Sequence, residues 1–553
     1  MKILILLALL AIFLIACPDV RAGSPSQSFN IVDFGAIADG QTVNTAAIQK
    51  ALDACSQAGG GIVRVPSGTY LTGSLRLQDN DTLSLEAGAT LLGSGRIQDY
   101  PTKDVIQAKG VKNITILGPG AIDGQGHLFW TFDPNLSKSE LRNINFSRIH
   151  YWKHNEQNSG DLVALTRCSN VKLSGVTLQN SQSWTCNLLD CDNVSVDSIR
   201  IRNPLNGPNT DGIDVDGCQN VLISNCDICT GDDAVCLKNR SNAITYPHSC
   251  KNITVSHCTL VSPTNGFKIG TESYGDFENI VFEDSIVQAG DPNSPWCADA
   301  VRMTSPKFYG DALGPEAGIA VESVDGAHIS GVTVKNIIMH NVQSPIFVRL
   351  GSRGINPTDE SVKAPTGTLE GVSISNVTAD GAWGPSIIAG VPGHPVQNVS
   401  ISDVHITNIG KGTSSLTALT VPEKETGYPS PLMFGPLPAH SLFIRHADGI
   451  KFTDYSVTNA WADTRQAVII DDVDGLQLVG LGLDPVASSD HLLVLNNVRN
   501  ANISGTVPQN TKTWATVSGA ESSNITLEPG QPGNAGQVLA LVGDVPSTAV
   551  TVK

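Results

Sequence analysis

One phrase recurs along this chain and limits what it can fold into: a turn residue, Asn or Gly, followed by an alternating apolar run. It reads Asn170-Val171-Lys172-Leu173, Asn193-Val194-Ser195-Val196, Asn220-Val221-Leu222-Ile223, Asn252-Ile253-Thr254-Val255 and Asn279-Ile280-Val281-Phe282. It returns at Gly371-Val372-Ser373-Ile374, Asn398-Val399-Ser400-Ile401, Gly449-Ile450-Lys451-Phe452 and Gly475-Leu476-Gln477-Leu478. Steps of 23, 27, 32 and 27 residues separate the five Asn copies from Asn170 to Asn279. Alternation sends successive side chains to opposite faces of a strand. Short alternating strands at a long, steady period, with no helical stripe, indicate stacked coils. The Leu-x-x-Leu-x-Leu phrase of the competing leucine-rich solenoid does not recur as a repeat along the chain. The expected class is all-β, a parallel β-helix.

Composition agrees. Aromatics make up 5% of the 553 residues while Gly numbers 53, as suits a core of stacked aliphatics with many turns. Asn44 to Cys55 carries apolar residues at helical spacing and stops before Gly59-Gly60-Gly61. With Asn44 or Thr45 as cap, it is a candidate helix to close the open end of the stack. Residues 28–480 form the expected β-helix domain. Residues 481–553 read either as terminal coils or as a small appended module. Gly351 to Thr368 and Lys411 to Pro438 are rich in Gly and Pro and read as loops leaving the stack, of the kind that wall a cleft.

Lys2 followed by the apolar run Ile3 to Ala16 reads as an export signal over residues 1–22. Leu14-Ile15-Ala16-Cys17 resembles a bacterial lipobox, which would place a lipid anchor on Cys17; plain secretion with cleavage after Ala22 is the alternative. A net charge of −17 and the lack of any basic run exclude nucleic acid as a natural partner. Cys168, Cys191, Cys218 and Cys250 occupy matched places in successive repeats, as do Cys226 and Cys258. They are expected to be small buried fillers rather than disulfides or zinc ligands. A monomer is expected.

Three acids stand out. Asp211 lies in Asn209-Thr210-Asp211-Gly212, and Asp232 and Asp233 lie in Gly231-Asp232-Asp233-Ala234, 21 residues on. That step is close to one coil, so the three carboxyls should converge. Crowded carboxylates repel one another, and they serve acid–base chemistry or bind a cation more readily than they serve packing. The plain alternative is that they cap turns. Adjacent strand residues face opposite ways, so Asp232 and Asp233 share a face only if the chain bends, and Gly231 offers that freedom. Asp214 and Asp216 follow the strand alternation and read as outward-facing residues.

Further motifs narrow the reading. Phe29-Asn30-Ile31-Val32-Asp33-Phe34-Gly35-Ala36 and Val65-Pro66-Ser67-Gly68-Thr69-Tyr70 resemble the start of pectin-lyase-like β-helices. Gly118-Pro119-Gly120-Ala121-Ile122-Asp123-Gly124-Gln125-Gly126, Asn180-Ser181 with Trp184, Asn209-Thr210-Asp211 and Thr230-Gly231-Asp232-Asp233 follow in order. Together they resemble glycoside hydrolase family 28, the polygalacturonase family. The resemblance implies a right-handed β-helix that hydrolyses pectic polysaccharide with inversion and without metal or cofactor. It makes Asp232 the general acid, with Asp211 and Asp233 activating water. Inversion ordinarily leaves about 6.5–9.5 Å between the two carboxyls.

The chain departs from the family pattern at two places. Asn265, in Thr264-Asn265-Gly266-Phe267-Lys268-Ile269-Gly270, stands where the pattern has His. Ala320 and Glu322 align with an Arg and a Lys that would grip a uronate carboxylate. Lys268 is the candidate substitute cation, and Arg349 and Arg353 are further candidates at the cleft mouth. Asn209, Asn265, Lys268 and Arg349 are therefore the expected substrate contacts. Glu322 would repel a uronate, so the pectic backbone is open between galacturonan and rhamnogalacturonan. Trp184 and Tyr274 read either as sugar platforms or as packing. Two other functions stay open: a calcium-dependent eliminase and a noncatalytic carbohydrate-binding β-helix.

Overall fold

A computed structural model describes residues 27–132, 152–155, 160–240, 249–291, 294–296, 314–356, 359, 361–483, 491–509, 511–532 and 536–553. The expected export signal and Cys17 lie outside the described residues, as does Cys297.

The recurring phrase forms one continuous ladder. Ile114, Val171, Val194, Val221, Ile253, Ile280, Val332, Val372 and Val399 stand in register on successive parallel strands, and all are buried. Burial of each such side chain contributes about 1.5–3 kcal/mol, and repetition makes it the main stabilising term. The turn residue before each strand needs a left-handed backbone. Asn170, Asn193, Asn220, Asn252 and Asn279 have φ of 55, 56, 55, 56 and 55°. Gly331, Gly371, Gly449 and Gly475 take the same role at φ of 67, 66, 66 and 67°, which explains why Asn and Gly alternate in the phrase. The Asn side chains also stack: Asn193 Nδ2 donates to Asn170 Oδ1 at 2.6 Å and Asn279 Nδ2 to Asn252 Oδ1 at 2.8 Å.

The architecture is a right-handed parallel β-helix, all-β with one α-helix among the described residues. That helix, Thr45–Gln57, buries Ile48, Ala51, Leu52 and Cys55 against the first coil. Asn44 precedes it but makes no side-chain cap. Its carboxamide instead accepts from Ile37 N at 2.7 Å and donates to Ile37 O and Thr42 O, pinning the preceding loop. Past residue 480, strands His491–Val507, Thr513–Ser518, Ser523–Pro532, Gln537–Leu541 and Val550–Val552 pair in parallel with the coils before them. Among the described residues, no helix is long and apolar enough to cross a membrane.

The ten described cysteines are buried and form no disulfide with one another. Cys168 N donates to Cys191 Sγ, and Cys191 N to Cys218 Sγ, so the matched thiols form a rung-by-rung stack.

One sheet carries the site. Its strands are Cys186–Leu189, Ile213–Asp216, Val235–Asn239, Asn265–Ser273, Ala317–Ser323, Ser344–Leu350 and Ser386–Ala389, each paired with the next. Their outer face is buried too: Asp214, Asp216, Lys238, Lys268, Glu322 and Arg349 are each 5% exposed or less. The loop over residues 411–438 crosses above this face. Thr271 Oγ1 donates to the Tyr428 hydroxyl at 3.2 Å, and Ser430 Oγ donates to Glu316 Oε2 at 2.5 Å.

Candidate active site

Strand pairing of Ile213 with Val235 and of Val235 with Phe267 puts Asp211, Asp233 and Asn265 at equivalent places on three successive coils. Gly212 N donating to Asp233 O and Ala234 N to Asn265 O confirm the register. Asp211 thus stacks on Asp233, while Asp232 sits one position earlier, at a bend over residues 231–232. Gly231 is required there for space rather than for an unusual φ. A Cβ on it would lie 2.4 Å from Gly207 O and 2.6 Å from Thr210 Oγ1. Thr210 Oγ1 accepts from Gly231 N at 3.0 Å and so ties the Asp211 turn to the Asp232 turn.

The three carboxyls converge as the spacing predicts. One oxygen from each lies within 4.8 Å of the others. That is closer than the about 6.5–9.5 Å expected between an acid and a base on either side of a water. The direct stacking of Asp211 on Asp233 accounts for part of this closeness.

Two buried lysines compensate the charge. Lys268 Nζ lies 3.1 Å from Asp233 Oδ2. Lys238 Nζ lies 3.3 Å from Asp211 Oδ2, 3.2 Å from Asp214 Oδ1 and 3.6 Å from Glu272 Oε2, with the Trp184 ring 4.3 Å away on another side. Burial alone would raise Asp233, but Lys268, Lys238 and the Asn265 amide hold its carboxyl down at about 2. Asn265 Nδ2 and Thr264 Oγ1 donate to its Oδ1 at 2.6 and 2.9 Å. Burial pushes Asp211 well above the usual carboxylate range, opposed by Lys238 and aided by the neighbouring acids. Asp211 Oδ1 is buried and has no hydrogen-bond partner. Asp232 is half-buried, and its Oδ1 accepts from Asp233 N at 2.9 Å and Thr264 Oγ1 at 3.2 Å.

A cavity of about 440 Å³ opens over the acids. Asp232, Asp233, Asn209, Asn265 and Lys268 all line it, with Lys153, His154, Glu272, Glu316 and Tyr428. Asp211 lies behind this lining, buried. The loop over residues 411–438 walls the cavity through Tyr428 and Pro429, as expected.

Several sequence expectations change. Arg349 does not reach the cavity. It is 1% exposed, and its guanidinium donates to the carbonyls of Gly390, Glu423 and Lys424, at 2.7, 3.2 and 3.1 Å, fastening the crossing loop. Arg353 pairs with buried Asp325 and also donates to Thr271 O. Asp214 and Asp216 face outward but are buried, paired with Lys238 and Arg240. Trp184 packs against Lys238 and Arg240. Glu322 is not a fixed negative charge: burial pushes it up to about 8, opposed by Lys268. Lys238, Glu272 and Tyr428 escaped the sequence reading. Only the strand alternation Cys236-Leu237-Lys238 pointed to Lys238, which shares an outward face with Asp214 and Asp216.

Residues 55–291 match the family model described as glycosyl hydrolases family 28. A probable polygalacturonase of Vitis vinifera is 26% identical over 408 residues, which span 69% of this chain and 74% of the relative. An exo-poly-alpha-D-galacturonosidase of Dickeya chrysanthemi is 32% identical over 252 residues, 37% of this chain and 41% of the relative. The fold matches the family 28 exopolygalacturonase of Yersinia enterocolitica with a TM-score of 0.58 at 22% identity, covering 83% of this chain and 78% of that one. The lysine-clamped acids and much of the lining fall within the segment that matches glycosyl hydrolases family 28, and the chain is a polygalacturonase-like glycosidase.

Proposed function

We propose that this protein hydrolyses glycosidic bonds in pectic polysaccharide with inversion, using Asp232 as general acid and Asp211 with Asp233 to activate water. The observation that carries the proposal is the division of the trio. Asp232 is half-buried and opens to the cavity, Asp233 lines it as a buried carboxyl clamped by Lys268, and Asp211 is buried behind the lining and clamped by Lys238.

Retention would require one acid to attack the sugar. Asp233 has one oxygen engaged by Thr264 and Asn265 and the other by Lys268. Asp211 has Oδ2 on Lys238 and an orphaned, buried Oδ1. An orphaned buried acceptor is the place where an ordered water is held. Burial that raises Asp211 also makes its ionised form a stronger base, and taking a proton from water relieves the buried charge. Asp233, held at about 2, stays anionic and orients that water.

The names of the similar polygalacturonases support the pectic class. Four acids, Asp232, Asp233, Glu272 and Glu316, line the cavity beside Lys153 and Lys268. The proposal therefore covers both galacturonan and rhamnogalacturonan backbones. Lys268, Asn265 and Asn209 are the proposed sugar contacts. Pectin is an extracellular polymer, so the activity requires export, as the apolar run Ile3 to Ala16 anticipates. The test is digestion of galacturonan, rhamnogalacturonan and their oligomers, with the anomeric configuration of the first products followed by NMR. Products of retained configuration, or unsaturated uronides from elimination, would overturn the mechanism.

A further inference from the structure

We propose that the cleft continues beyond the acids into a second sugar-binding section built on Trp383. It would take a pyranose of the same pectic chain through the sugar's apolar face, and it rests on the hydrolase reading above. Strand register carries the argument. Asp232, Thr264, Glu316, Gln343 and Trp383 occupy one row of equivalent positions on five successive coils. Ser344 N donating to Glu316 O and Gly384 N to Gln343 O continue the same ladder. At about 4.8 Å per coil, Trp383 stands about 19 Å from the Asp232 position along the helix axis.

The two ends of that row line two cavities. Asp232, Thr264 and Glu316 line the first. Gln343 and Trp383 line a second, of about 240 Å³, with Ser344, Pro385, Ile387 and Arg465. One loop walls both: Tyr428 and Pro429 face the first cavity, and Pro431, Leu432 and the 435–437 segment face the second. Ser430, between these groups, is anchored to Glu316 at 2.5 Å. The cavities are thus consecutive sections of one groove, and a chain cut at the acids would run along both.

The chemistry of the second section differs from the first. Its one charged lining residue among the described residues, Arg465, is held by Asp463 at 2.7 Å and by the Leu437 and Ala439 carbonyls. Trp383 is half-buried, and neither its indole N–H nor the Gln343 amide has a hydrogen-bond partner among the described residues. An indole face beside an unengaged amide, in a pocket with no free charge, fits the C–H face and hydroxyls of a sugar ring.

The test uses full-length Asp232→Asn protein, titrated calorimetrically with galacturonan and rhamnogalacturonan oligosaccharides. Short ones fill only the first cavity, and long ones span both. Long oligosaccharides should bind tighter than short ones. Trp383→Ala should remove about tenfold of that gain while short oligosaccharides bind unchanged, and Trp383→Phe should restore part of it. Gln343→Ala, at a half-exposed side chain, should weaken long-chain binding without disturbing packing. Equal affinity of parent, Trp383→Ala and Gln343→Ala for long chains overturns the second section alone. Failure of the parent to bind any pectic oligosaccharide overturns it together with the substrate reading.

Discussion

Replacing Lys238 by Met tests whether the acid trio is held by buried charge. Met keeps most of the volume against Trp184 and removes the ammonium that lies 3.3 Å from Asp211, 3.2 Å from Asp214 and 3.6 Å from Glu272. Removing one partner of a buried ion pair costs about 3–5 kcal/mol, because the other charge is left uncompensated. Here the stranded groups can escape by binding protons. Burial already raises Asp211, and it raises Asp214 to about 7, with Lys238 opposing both shifts. Without Lys238 both rise further. An acid whose folded value lies above its unfolded value, near 4, binds more protons when folded. Stability then falls as pH rises from that unfolded value toward the folded one.

The Lys238→Met penalty should therefore reach about 3–5 kcal/mol at pH 8. Near pH 4 it should shrink to about 0.5–2 kcal/mol, the cation–π contact with Trp184. Thermal unfolding midpoints of both proteins at pH 4, 6 and 8, taken at one scan rate, measure it. The acid-side rise in kcat/KM should also move to higher pH in the variant, since Asp211, the base, would ionise later. A penalty of the same size at every pH would refute the charge argument and leave Lys238 as packing.

Asp232→Asn should lower kcat by at least about 100-fold with an unchanged circular dichroism spectrum; wild-type-like turnover would remove Asp232 from the acid role. Asp233→Asn leaves Lys268 beside Glu322 without its main counter-charge. Because the Asp233 carboxyl is held at about 2, its contribution is present above about pH 4 and is lost as pH falls toward 2. Unfolding midpoints of variant and wild type should then differ at pH 6 and converge on acidification. Glu322→Gln should do the reverse. Burial holds Glu322 at about 8, so the wild type loses stability as pH rises toward that value. The variant should be more stable than wild type by about 1–3 kcal/mol at pH 9 and little different at pH 4, read from the same melts.

The stack was legible because each coil repeats one local rule. Asn170, Asn193, Asn220, Asn252 and Asn279 announce left-handed turns, and the residues after them alternate between core and outer face. The convergence of Asp211 with Asp232 and Asp233 followed from the same period, since residues one coil apart must stack. Gly231 shows the limit of local reasoning: it reads as backbone freedom, yet its role is to let Gly207 O approach. Asn44 likewise reads as a helix cap and serves the loop before the helix.

What the chain determined by itself is therefore the periodic part: the coil, its core and the meeting of the three acids. Tertiary structure decided how charge on the outer face is settled. An outward Lys or Arg on a strand ordinarily reaches water, and nothing local says that a loop from residues 411–438 will cover it. Once covered, Arg349 bonds to loop carbonyls instead of substrate and burial raises Glu322, while Lys238 and Lys268 lie against Asp211 and Asp233 on the outer face of the sheet. Those outcomes depend on contacts between distant residues, such as Thr271 with Tyr428, and on a low-dielectric setting that exists only after the loop has closed over the sheet.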